Sequence, residues 1–174
     1  MIIVKNTPHY TGVTISGDAY DFEALYESLH TIVGEEWEWG SYEGARIRVL
    51  GVCYELRHAL MGGREIEFVE NGLDDDKMKR LAVITNDKNI YLSCNVYWPE
   101  LLFVTMALND FIKLYAKKQA KSNYTTLLDH RNIWDHSIAT VRQFQASIAK
   151  CIKETIPKTS VNRILNLMNV DDSW

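Results

Sequence analysis

The stretch from Pro99 to Ala120 constrains this chain more than any other. It carries Leu101, Leu102, Phe103, Val104, Met106, Ala107, Leu108, Phe111, Ile112, Leu114 and Tyr115. Wound into a helix, these side chains leave little polar surface, so the helix must be surrounded by protein. Pro99 suits its first turn, where a missing N–H costs nothing. Asn109, Asp110, Lys113 and Lys117 fall at offsets that give one solvent-facing edge, although inward-pointing amide and carboxyl groups there would need partners. Lys113, Lys117, Lys118 and Lys121 gather near its C-terminus, where they complement the helix dipole. They are also the clearest candidates for a basic patch.

A central helix needs cover, and the remaining periodicities supply it. Phe22, Leu25, Tyr26, Leu29, Ile32 and Val33 make one apolar stripe over a helix at about Ala19–Val33, with Asp18 as N-cap and Gly34 as terminator. A second helix spans about Tyr42–Met61, burying Ala45, Val49, Val52, Cys53, Leu56 and Leu60. Gly51 in its middle costs roughly 1 kcal/mol against Ala, and close packing of another backbone there is the expected compensation. A fourth helix is expected over about Ile133–Thr155, stopped by Pro157, and a short fifth over about Thr159–Asn169. Residues 121–132 form the longest polar connection.

Strands are expected at Ile2–Val4, Tyr10–Ser16, Arg64–Glu70, Leu81–Thr85 and Ile90–Tyr97. The two-residue alternation marks the second, third and last of them, and Asn86–Asn89 reads as a hairpin link between the last two. Clustered strands followed by clustered helices imply an α+β fold. Its sheet is mainly antiparallel, of about five strands, and packed by helices. The 174 residues fit a single domain, with an α+β core over residues 1–120 and a C-terminal helical segment over 121–174 that joins the core or stands beside it.

Net charge is −4, which speaks against nonspecific nucleic-acid binding. Nothing approaches the ~20 apolar residues of a membrane span, and the N-terminus lacks the basic start and long apolar run of a signal peptide. Cys53, Cys94 and Cys151 are odd in number, far apart and flanked by apolar residues. They read as free buried thiols in a reducing compartment. The expectation is a cytoplasmic protein with no nucleic-acid or membrane partner, and with either a protein partner or a second copy of itself.

Candidate chemistry is sparse. Glu55 and His58 share a helix face, as in carboxylate-bridged metal bundles, but a second copy of the motif and further inward glutamates are missing. Asp129-His130 and Asp135-His136 are adjacent pairs whose side chains do not face each other, and the histidines are six apart, not four. Asp74-Asp75-Asp76 lacks the alternating ligands of a calcium loop. Phosphate loops, nucleophile elbows and CxxC motifs are absent. No metal or cofactor is therefore expected.

Two surfaces remain. The segment 35–41 places Trp37 and Trp39 among Glu36 and Glu38, a composition suited to a protein interface because tryptophan dominates binding hot spots. The opposing reading folds both rings back onto the core. The alternative is a ligand or active site on the second helix built from Arg46, Arg48, Glu55, Arg57 and His58, since arginines grip carboxylate or phosphate in bidentate fashion. Between these, a protein-interaction role is the first expectation and an enzyme or small-ligand binder the second.

The blocks Tyr42-Glu43-Gly44-Ala45-Arg46-Ile47-Arg48-Val49-Leu50-Gly51 and Trp98-Pro99-Glu100 through Leu108-Asn109-Asp110-Phe111 resemble a family of small uncharacterised bacterial proteins. The resemblance covers most of residues 1–118. It implies a bacterial cytoplasmic protein and assigns neither activity nor functional residues.

Overall fold

A computed structural model describes residues 1–121 and 126–167, apart from the side chains of residues 127 and 167. Two strands open the chain, β1 (Ile3–Asn6) and β2 (Gly12–Gly17), followed by α1 (Ala19–Val33), a short 3-10 turn (Gly40–Tyr42) and α2 (Glu43–Leu60). Then come β3 (Glu65–Glu70), α3 (Asp75–Leu81), β4 (Lys88–Tyr97) and α4 (Trp98–Gln119). A second 3-10 turn (Thr126–Leu128), α5 (His130–Ile133), α6 (His136–Thr155) and α7 (Lys158–Leu167) complete the described chain.

The local signals act as their chemistry requires. Asp18 caps α1 by accepting from Asp21 N–H at 2.8 Å, and Asp21 reaches back to the Asp18 N–H, a reciprocal capping box. Gly34 ends the helix with φ at +71°, and a Cβ there would meet a Glu38 carboxylate oxygen at 2.4 Å and the Trp39 ring nitrogen at 2.7 Å. Glycine is thus required both by the backbone and by the loop that folds over it. Asp135 caps α6 by accepting from Ile138 N–H at 2.8 Å.

Four strands form one antiparallel sheet in the order β1-β2-β4-β3. Val13 pairs with Val96 and Ile15 with Cys94, and these buried side chains form the face on which the helices pack. Helix α4 lies at the centre, in contact with α1, α2, α6, β2 and β4. Its Leu101, Val104, Leu108, Phe111 and Ile112 are buried. Phe22 from α1 and Phe144 from α6 join Phe111 among the largest buried side chains, each contributing about 1.5–3 kcal/mol by burial. Val141, Phe144, Ile148 and Cys151 of α6 belong to the same buried cluster as the sheet. None of the helices among the described residues is long and apolar enough to cross a membrane.

Among the described residues the sheet has four strands, not about five. Leu81–Thr85 is not a strand: Leu81 ends α3, Ala82 takes a left-handed turn at φ +51°, and the chain then runs irregularly to β4. The short apolar run lost to a stronger helical signal just before it. Asp74 caps α3, acids Asp75 and Asp76 fill its first turn, and Lys79 and Arg80 its last. The hairpin expected at Asn86–Asn89 is absent for the same reason, and β4 pairs instead with β3, in the register Glu65↔Ser93 to Glu70↔Lys88.

Candidate functional site

The segment β3–α3–β4 is an arm. All six residues of β3 are exposed, and so is every residue from 79 to 90. Cross-strand pairing fixes what each face carries. Ile66 stands opposite Leu92 and Phe68 opposite Ile90, on the face that buries Cys94 and Val96 farther along β4. The core face of the sheet thus runs out past its helical cover. Phe68 is 68 % exposed there, and Ile66 and Ile90 are exposed beside it. On the other face Glu65 stands opposite Ser93 and Glu67 opposite Tyr91, neither facing a cation across the strands. As an edge strand, β3 also presents main-chain groups along its outer side.

The tryptophan loop is split by the fold. Trp39 is half-buried against the core, with the Lys118 ammonium 5.8 Å from its ring centre. Glu38 accepts from Lys118 Nζ at 2.5 Å and from Glu35 N–H at 2.9 Å. The lysine bond holds the Glu38 carboxyl below its usual range. Trp37 points outward, 69 % exposed, its φ at +62° and its N–H bonded to Glu43 at 3.0 Å. Glu36 is exposed beside it. Only Trp37 and Glu36 of the four are therefore open to a partner.

The second-helix residues do not converge. Arg46 donates to the Gly34 carbonyl at 3.0 Å and to Glu43 at 2.9 Å. Arg48 forks onto Glu100, with a closest approach of 2.7 Å, and lies 4.0 Å over the Phe103 ring. Glu55 is held by Arg64 through bonds of 2.8 and 3.1 Å. It does not pair with His58, whose ring stacks on Tyr54 at 4.2 Å. Arg57 is exposed. Each acid–arginine pair satisfies itself, so the groove of about 470 Å³ between α2 and β4, lined by Ile47, Arg48, Gly51, Glu55, Tyr97 and Glu100, offers little free charge. At Gly51 the expected close packing is absent: a Cβ there would meet nothing within 4 Å.

Among the described residues, no three His, Cys, Asp or Glu side chains gather closely enough to hold a metal. Asp129 and Asp135 are helix caps, and Asp74 caps α3 with Lys77 beside it. Asn109 accepts from Arg142 at 2.6 Å, a contact the sequence did not foretell. Lys118 serves Glu38, and Lys117 is exposed. The three cysteines are free and buried, and burial pushes the Cys53 and Cys94 thiols up to about 12, which removes them as nucleophiles at neutral pH.

With this geometry in view, comparison with known families is decisive at one level. The family model described as "Domain of unknown function (DUF6904)" matches residues 2–174. The chain belongs to that family. No curated protein and no solved structure matches this DUF6904 chain significantly. The match spans the sheet, the arm and the C-terminal helices together, and its description assigns no activity. Function in this DUF6904 member has therefore to be argued from its surfaces.

Two features of the DUF6904 chain were missed by sequence reasoning. The arm was hidden because alternation of Ile66 and Phe68 with glutamates reads as an ordinary strand over a core. Asn132 was hidden within the polar connection, yet it is buried and its amide donates to the carbonyls of Ala116 and Thr126 at 3.0 and 2.5 Å. An amide just after an Asp N-cap gave no signal of that role.

Proposed function

We propose that this protein is a protein-binding protein whose docking surface is the β3–β4 arm, and that its partner is an extended segment alternating basic and apolar residues. The supporting observation is the uncovered continuation of the core face at Ile66, Phe68 and Ile90, on a wholly exposed edge strand. Contiguous apolar surface of this kind marks interaction sites. A partner strand adding to β3 would hydrogen-bond to its main chain. Apolar side chains would cover Phe68, and basic ones would meet Glu65 and Glu67. The same glutamates disfavour pairing of β3 with another copy of itself, because like charges directly opposite are destabilising. Trp37, exposed beside Glu35 and Glu36, is the second surface.

Fluorescence anisotropy of a labelled acetyl-Lys-Val-Lys-Val-Lys-Val-amide peptide tests this reading. Saturable binding is expected, weakening with salt. Phe68→Asp and the pair Glu65→Lys, Glu67→Lys should each weaken it, while Trp37→Ala leaves it unchanged. Binding indifferent to the arm variants but lost with Trp37→Ala would move the site to the tryptophan loop. A dimer in solution that Phe68→Asp dissociates would show instead that a second copy covers this face.

A further inference from the structure

Arg142 on α6 differs from the arginines of α2. Its Nη1 donates to Asn109 Oδ1 at 2.6 Å and to Gln145 Oε1 at 2.9 Å. Both acceptors are neutral amide oxygens, whereas Arg46, Arg48 and Arg64 each hold a glutamate. Neither Nε nor Nη2 of Arg142 has a partner among the described residues, and no carboxylate forms an ion pair with it there. The acceptors are themselves fixed. Gln145 is buried, and its amide donates to the Thr105 carbonyl at 2.8 Å and to Asn109 at 3.2 Å. The Nη1 side of the fork is thus held by an amide network on α4 and α6, with no carboxylate paired to it among the described residues.

Beside this guanidinium a cavity of about 230 Å³ opens between α6 and α7. Ala146, Ala149, Ile152, Val161 and Ile164 supply its apolar walls, and Thr105, Asn109 and Gln145 its polar end. Two alanines on α6 leave the space open where larger residues would fill it. Arg142 is exposed on its outer side, and desolvation on its inner side lowers its pKa. A guanidinium with two free donors matches a carboxylate in number and geometry, and an apolar cleft with a few convergent polar groups is the usual form of a small-ligand site.

We propose that the cleft between α6 and α7 binds a small amphipathic carboxylate, its carboxylate forked onto Arg142 and its alkyl tail along Ala146, Ala149 and Ile164. Lys153 also lines the cleft and is exposed to solvent. The site shares no residue with the arm, so it stands or falls separately from the docking role.

Titration calorimetry of the full chain with octanoate tests it, with octanamide and acetate as comparators. Saturable octanoate binding is expected, with octanamide at least about tenfold weaker, because a hydrogen-bonded charge is worth that much over a neutral group. Acetate, lacking the tail, should show no saturable binding over the same range. Arg142→Gln, checked for folding by circular dichroism, should weaken octanoate by about tenfold or more and erase its preference over octanamide. Ala149→Trp should block both octanoate and octanamide by filling the cleft, and it provides an independent variant should Arg142→Gln disturb the helix pair. Absence of saturable octanoate binding, equal binding of octanoate and octanamide, or octanoate affinity unchanged in both variants would overturn the proposal.

Discussion

Replacing Gly51 by Ala should stabilise the protein. Glycine inside a helix costs about 0.8–1.0 kcal/mol relative to alanine, through backbone entropy. That penalty is commonly offset where another backbone packs against the missing side chain. Here nothing lies within 4 Å of the position a Cβ would take, so alanine gains the propensity without a clash. Gly51 is helical in α2, with ordinary negative φ, so no left-handed conformation must be preserved. The added methyl stays at the surface of the groove and buries little area. The net expectation is a gain of about 0.5–1 kcal/mol. For a chain of this size that raises Tm by roughly 1–4 °C. With a urea m-value of about 2 kcal/mol/M, the midpoint should rise by roughly 0.3–0.5 M at unchanged m. Equilibrium urea unfolding followed by circular dichroism measures it. A fall in the midpoint would refute the reasoning, because it would mean that something packs against Gly51 in solution and that the groove is not open.

Two further expectations concern Asn132 and His30. Asn132→Ala should destabilise by about 1–3 kcal/mol, since it removes the amide that donates to the Thr126 carbonyl and adds a second donor to the Ala116 carbonyl beside the Ala120 N–H; denaturant unfolding of Asn132→Ala against wild type checks it, and an unchanged midpoint would show that water replaces the amide at no cost. The pKa of His30 is lowered by burial first and by Arg46 second, against a smaller opposing effect of Glu35. The unfolded chain therefore takes up this proton before the folded one. The His30 contribution to stability is complete above the unfolded value near pH 6.5 and is lost as pH falls through the lower folded value. Urea midpoints at pH 7.5 and 5.5 should diverge more for wild type than for His30→Gln, and equal divergence would remove His30 as the cause.

Much of the architecture was legible because it rests on local rules. The α1 stripe from Phe22 to Val33, its Asp18 cap and its Gly34 stop all lie within a few residues of one another, and each is satisfied locally. The reading of Leu81–Thr85 as a strand failed because a strand needs a neighbour, and a short apolar run cannot say whether one exists. The capped and charge-balanced turn from Asp74 to Arg80 won locally, and β4 was already paired on both sides by β2 and β3. The candidate site was less legible still. Glu55 and His58 share a helix face by spacing, but Arg64 and Tyr54 compete for them at close range and win. Arg48 looked available until the fold brought Glu100 to it from 52 positions away.

The sequence by itself determined that α4 is central, because an all-round apolar helix has no stable place at a surface. It also determined the limits of α1, α2 and α4 to within a residue and the buried thiols, through hydrophobic periodicity, capping and burial of apolar neighbours. Only the tertiary structure decided which charges are satisfied and which apolar faces are covered. Ion pairing and burial are properties of distances between residues remote in sequence. Among the described residues, no helix covers Phe68 at that end of the sheet, and α4 and α6 bring Arg142 only the amides of Asn109 and Gln145.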